Sequence, residues 1–429
     1  MKLQDVIELN PKLTLKKGVL VPFIEMAALP TNEKCIVEVA YRAVTGSGAK
    51  FQNGDTLFAR ITPCLENGKG GYVAGLPLGA VGQGSTEFIV FRARKKSDEQ
   101  FAYYLTRYSK FRNFAEKGMV GTSGRQRVTW QTLADFELPN LAKSQRAALG
   151  EILASLDDKI ELNRRMNETL EEMARALFRD WFVDFGPTRR QMAGETSPAA
   201  IMGQAFPPEK AAPLAPLFPA KLGDDGLPEG WEMRALHDLA DWVNGAAYKN
   251  MHFSTEPDAM PVIKIAELKA GVTKTTKHTN TALGEKYRIK NGDVLFSWSG
   301  NPDTSIDTFI WSGGDAVLNQ HIFIVKPNGE VDQSVLYFLL KYLRPQFAEI
   351  ARDKQTTGLG HVTKQDLKGM RVCLGSGALE SVATKIFSPL FVKLYANQQE
   401  NQTLAALRDL LLPKLMSGEI RLKDAEAAL

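Results

Sequence analysis

The chain has 429 residues, a formal net charge of +4, 44% hydrophobic residues and 24% charged ones. That length has room for two to three domains with cores of their own, and no apolar run approaches the roughly 20 residues that a membrane span requires. Mild positive charge does not by itself imply nucleic acid, and Cys35, Cys64 and Cys373 are too scattered for a disulfide framework or a CxxC metal site. The five histidines, His237, His252, His278, His321 and His361, show no HxxxH or HExxH spacing, which argues against a metal centre. The start, Met1 to Asp5, lacks the basic head and apolar segment of a secretory signal, so the expected location is the cytosol.

In chain order, residues 1–143 read as a mixed domain. Thr56 to Ile61 and Glu87 to Arg92 are strand-like runs bounded by glycine turns, with a loop or hairpin tip at Asn67 to Gly71 between them. From 98 to 115 the spacing of Phe101, Tyr104, Leu105, Tyr108 and Phe111 becomes helical. A glycine-rich loop follows over 118–124, and a short element restarts at Thr129. Basic residues cluster with aromatics and hydroxyls at 92–96, 107–112 and 123–127, where each cluster suits either a solvated surface or a contact.

Residues 144–185 form the first spacer helix. Leu149, Leu156, Asn163, Leu170 and Leu177 recur every seven positions, interleaved with Leu153, Ile160, Asn167 and Ala174, which is a coiled-coil seam. Residues 186–230 are rich in proline, alanine and glycine with little periodicity and read as a surface linker. A second mixed domain is expected over 231–377, and a second spacer helix with a tail over 378–422. That helix places Leu390, Asn397, Leu404 and Leu411 on one row and Phe387, Leu394, Asn401 and Arg408 on the other. Pro389 and Arg408 break the heptad, so it is expected to start late and fray late.

The two halves are copies. Adding 234 to Val128, Thr129 and Leu133 gives Val362, Thr363 and Leu367, and the same offset carries Asn163 and Asn167 onto Asn397 and Asn401. Asn53-Gly54-Asp55 reappears as Asn291-Gly292-Asp293 at a slightly larger offset. So long a period marks a duplicated globular module and not a solenoid. Buried asparagine costs stability unless it meets a polar partner, so the two asparagine pairs are expected to face each other, in either helix orientation.

Enzyme signatures fail. There is no phosphate loop, nucleophile elbow or amino-methyltransferase motif, and Gly82-Gln83-Gly84 lacks the third glycine of a dinucleotide fingerprint. Asp258, Glu267 and Lys269 fit the loose acidic pattern of metal-dependent nucleases, but the first copy has no counterpart.

Three motifs carry a resemblance. Leu177 to Phe185 (LFRDWFVDF), Leu227 to Trp231 (LPEGW) and Leu411 to Ile420 (LLPKLMSGEI) look like segments of the specificity subunit of bacterial type I restriction-modification enzymes, and the likeness covers essentially the whole chain. The resemblance implies an α+β chain in which two similar target-recognition domains are joined by two long helices forming an antiparallel coiled coil. It implies double-stranded DNA as ligand, one half of a bipartite site per domain, and docking of two methyltransferase subunits and of restriction and translocase subunits. Cofactors would sit on those partners, S-adenosylmethionine, ATP and Mg²⁺ among them, with none in this chain. The chain itself would not be an enzyme.

On that reading, loops enter the major groove while nearby cations hold phosphates. The candidates in the first domain are Arg60, Lys69, Ser123, Arg125, Gln126 and Arg127, and in the second Trp298, Ser299, Asn301, Thr357, His361 and Lys364. The expected helix seam comprises Leu156, Ile160, Asn163, Asn167, Leu170, Leu390, Leu394, Asn397, Asn401 and Leu404. Because the two loops differ in residue type, the expected target is asymmetric. The rival readings are a stand-alone DNA-binding regulator and a nuclease using Asp258, Glu267 and Lys269.

Overall fold

The computed structural model describes every residue except 123, 204–205, 356–357, 376–377 and 421–429. It divides into two compact units, Met1–Leu162 with Glu400–Leu429, and Asn163–Gln399.

The first unit contains β1 (Ile7–Leu9), β2 (Leu20–Ile24), β3 (Ala40–Ala43), β4 (Ala49–Phe51), β5 (Thr56–Ala59), β6 (Gly70–Tyr72), β7 (Gly82–Gly84) and β8 (Phe88–Ala93). Two four-stranded sheets result, ordered β1-β8-β5-β6 and β3-β2-β7-β4, with β2 and β7 parallel and the other pairs antiparallel. β5 and β8 read as near-continuous apolar runs because both their faces are covered. Phe58, Ile89 and Phe91 pack with Phe101, Leu105 and Phe111, whereas Leu57, Ala59, Phe88 and Val90 pack with Ile24 and Phe51 toward the other sheet.

The second unit repeats this plan strand for strand. One sheet is ordered Ala240–Asn244, Ile322–Pro327, Val294–Ser297 and Asp307–Ile310, and the other His278–Thr279, Met260–Ile263, Ala316–Leu318 and Arg288–Ile289. Its one parallel pair again joins the two middle strands of the second sheet, Met260–Ile263 and Ala316–Leu318.

The repeated motifs are local devices. Gly54 and Gly292 both sit at φ +92°, a left-handed turn that favours glycine. Asp55 accepts from the Gln52 amide and Asp293 from the Lys290 amide, each at 2.8 Å, so the same turn launches the equivalent strand in both units. Thr129 and Thr363 cap short helices by accepting from the Thr132 and Asp366 amides, above the buried Leu133 and Leu367.

Two segments differ from expectation. The helix expected over 98–115 is two helices, α1 (Glu99–Arg107) and α2 (Ser109–Lys117), because buried Tyr108 adopts extended backbone between them. Residues 186–230 are no plain linker. Helices Gly186–Met192, Pro198–Met202 and Pro208–Ala211 each carry proline in the first turn, and Ile201, Met202, Ala211, Leu214 and Phe218 pack into the core around Phe178 and Trp181. That burial has no helical period, so pattern could not reveal it.

After the cap helix α3 (Trp130–Ala134), the first long helix is α4 (Lys143–Phe182). The second spans Ala378–Ser417, with Pro389 inside it, so it does not start late and stays helical past Arg408. Proline removes one backbone bond, and the buried Phe387 and Leu394 anchor the helix in the apolar core on either side of it. The helices pair antiparallel. In the first unit Arg408 meets Asp157 at 2.5 Å and Glu400 meets Lys159 at 3.4 Å. In the second, Asn397 Nδ2 donates to Asn167 Oδ1 at 2.7 Å, Asn167 Nδ2 donates to the Leu394 carbonyl at 3.3 Å, and Phe387 packs on Phe178. Of the expected seam, Leu156, Asn163, Leu394 and Asn397 are buried, while Ile160, Asn167, Leu170, Leu390, Asn401 and Leu404 are half-buried. Among the described residues, no helix is long and apolar enough to cross a membrane.

Truncating Asn397 to alanine is expected to cost about 1–3 kcal/mol by leaving the Asn167 amide short of a partner. Leucine at both positions should recover most of that loss, because an apolar pair needs no partner. Urea denaturation of the two variants checks it: equal losses in both would mean that the asparagine bond contributes nothing.

Candidate nucleic-acid interface

In each unit three segments converge on one backbone frame. In the first, the chain leaving β5 supplies Arg60 and Ile61, the turn before β8 supplies Glu87, and the glycine loop returns with Arg127 and Val128. The Arg60 amide donates to the Glu87 carbonyl and the Val128 amide to the Arg60 carbonyl, both at 3.0 Å, while Ile61 bridges Arg127. In the second, the Trp298 amide donates to the His321 carbonyl at 3.3 Å and the Val362 amide to the Trp298 carbonyl at 2.8 Å, while Ser299 pairs with His361. Arg60, Glu87 and Arg127 therefore occupy the positions of Trp298, His321 and His361.

The side chains on this frame differ in kind. Arg127 donates from Nε and Nη2 to Glu87 Oε1 at 2.9 and 2.8 Å, which holds its guanidinium more firmly protonated than usual. Arg60 Nε lies 4.0 Å from Glu87 Oε2, an ion-pair distance without a hydrogen bond. Arg60 also lines an open cavity of about 420 Å³ together with Asn10, Lys12, Lys50 and Thr86. On the second frame the Trp298 indole donates to Asn244 Oδ1 at 2.9 Å, and its ring packs against His321 at 5.4 Å and Phe323 at 5.8 Å.

The other sequence candidates divide by what they touch. Arg125 is exposed at the loop tip, and Gln126 is half-buried with its amide on Thr62 Oγ1. Lys69 donates to the Met26 carbonyl and Lys364 to the Trp242 carbonyl, and Asn301 Oδ1 accepts from the Asp303 and Thr304 amides. These three brace loops. Within the basic cluster 107–112, Arg107 and Arg112 likewise donate to the carbonyls of Gly68 and Leu65. Ser123 and Thr357 lie outside the described residues.

Sequence reading missed Glu87, His321, Lys12 and Lys50. The 234-residue offset does carry Glu87 onto His321, so the repeat itself held the signal for that pair. For the nuclease alternative, Glu267 accepts from the Lys264 amide as part of a helix cap, and Lys269 donates to the Thr304 carbonyl. Among the described residues no group of three histidine, cysteine or carboxylate side chains is arranged to hold a metal ion.

The two units thus present different side chains on topologically equivalent frames. Residues 228–403 match the model of the type I restriction modification DNA specificity domain. The chain is similar to the type I restriction enzyme HindI specificity subunit of Haemophilus influenzae, 26% identical over 86% of this chain and 87% of the relative. It is also similar to the MjaIX specificity subunit of Methanocaldococcus jannaschii, 24% identical over 76% and 70%. The fold matches the crystal structure of a type I S subunit from M. genitalium at a TM-score of 0.50 and 16% identity, covering 97% of this chain and 95% of that one. Residues 228–403 thus carry the type I restriction modification DNA specificity domain, and most of the chain is similar to type I restriction enzyme specificity subunits.

Proposed function

We propose that each unit reads one half of a bipartite, asymmetric DNA site, and that the chain docks two methyltransferase subunits and, through that core, the restriction and translocase subunits. The observation that carries the reading is the duplicated frame with Arg60, Glu87 and Arg127 on one copy and Trp298, His321 and His361 on the other. A shared scaffold with different side chains recognises two different half-sites by one geometry. Arg125 at the loop tip, with Lys12 and Lys50 on the cavity, suits phosphate contact, which sets register without carrying sequence. In this reading the chain works in the cytoplasm and performs no chemistry, with S-adenosylmethionine, ATP and Mg²⁺ handled by the partner subunits.

Sequencing methylated bases in cells that co-express the chain with its modification subunit tests the reading. A two-part motif with unlike halves is expected, and tight specific binding by the chain alone, with no methylation, would instead favour a stand-alone regulator. The duplicated helices offer two similar docking surfaces, so native mass spectrometry should find two modification subunits per chain. A one-to-one complex at saturation would count against the duplicated docking.

A further inference from the structure

We propose that Arg60 reads a guanine in the first half-site, and that Glu87 is the positioning residue that holds it there with Arg127 as counter-cation. This rests on the reading of the chain as the DNA-recognition subunit.

One carboxylate serves two arginines. Glu87 Oε1 accepts two donors from Arg127, and the Glu87 carboxylate is only about a quarter exposed. Arg60 stands 4.0 Å away, near enough to be held by charge, yet its guanidinium makes no hydrogen bond among the described residues. An arginine tethered electrostatically, with its donor fork unused and lining an open cavity, is prepared for a ligand with two adjacent acceptors. Guanine offers N7 and O6 in that arrangement on the major-groove edge. Lys12 and Lys50, on the same cavity, supply point charges suited to the flanking phosphates.

Glu87 also limits non-specific binding. Two guanidiniums around one carboxylate leave a local charge near +1, so neutralising Glu87 frees Arg127 for any phosphate and adds attraction that ignores sequence. Among the described residues the second frame has no such charged trio: Trp298 is fixed by Asn244 and flanked by His321.

The test uses the full chain assembled with its modification subunits, as wild type, Arg60→Lys and Glu87→Gln. The readouts are the methylated motif and the binding of cognate and scrambled duplexes over a range of salt. Arg60→Lys keeps the charge but loses the fork, so one G·C position in the first half-site should lose roughly 5- to 150-fold of its discrimination while the second half-site is unchanged. Glu87→Gln should relax the same position, bind scrambled duplex more tightly and steepen the dependence on salt. If both variants keep the wild-type motif and salt slope, the assignment is wrong. A wild-type complex that methylates no defined motif would instead overturn the DNA-recognition reading beneath it.

Discussion

Arg408→Ala should destabilise the first unit by about 3–5 kcal/mol, the usual cost of leaving a buried charge without its partner. Arg408 is 11% exposed and Asp157 4% exposed, and Asp157 also accepts the Tyr104 hydroxyl at 2.5 Å, so little water is at hand to replace the guanidinium. Arg408 is thus the reason the heptad breaks where it does: the helix gives up an apolar seam position to neutralise a carboxylate on α4. Replacing Arg408 and Asp157 together with leucine should restore most of the loss. Chemical denaturation and limited proteolysis, followed separately for the two units, check both outcomes, and an Arg408→Ala protein as stable as wild type would refute the role given to the pair.

Tyr104 adds a pH dependence to the same cluster. Burial first, then the neighbouring Asp157, pushes its phenol well above the usual range. The folded protein keeps the proton that the unfolded chain releases from about pH 10 upward. This contribution to stability is complete below that pH and is lost as the pH climbs toward the folded value. Tyr104→Phe should flatten the alkaline decline in a melting-temperature profile, at the cost of one hydrogen bond at neutral pH.

If each unit reads its own half-site, as proposed, exchanging residues 1–140 for the corresponding region of a relative should replace one half of the methylated motif and leave the other half intact. The effect is large because each wrong base pair costs about 1–3 kcal/mol and a half-site holds several. The exchange leaves the second unit's core intact, because the cores of the first unit draw on residues 3–156 and 404–420 and on none between, and the incoming domain must fit only the retained core residues of 149–156 and 404–420. Simultaneous change of both halves would show that the domains do not read independently.

What the sequence revealed and what it hid follow one physical line. The Asn-Gly-Asp turns and the threonine caps are made by residues within three positions of each other, so their chemistry was legible twice over, at offsets of 238 and 234. The asparagine pair was legible because a polar residue on an apolar seam demands a partner. The carbonyl contacts of Lys69 and Lys364 were hidden because they depend on which carbonyls come near, and Met26 and Trp242 are 43 and 122 positions away. Lys12 and Lys50 share a cavity with Arg60 only through the sheet, so no spacing announced them. The proline-rich stretch hid its core role because short helices started by proline bury residues without a period.

The first unit is assembled from Met1–Leu162 and Glu400–Leu429, while the second is one continuous segment. During synthesis the earlier-made domain therefore waits for the segment that begins at Glu400. Leu411, Leu412, Leu415 and Met416 belong to its core, and Asp157 stays without its cation until Arg408 has left the ribosome. The order of maturation is inverted relative to a simple two-domain chain, whose N-terminal domain folds first. Until then the nascent first domain keeps the apolar face that Leu411, Leu412, Leu415 and Met416 cover exposed, a surface open to chaperones and proteases.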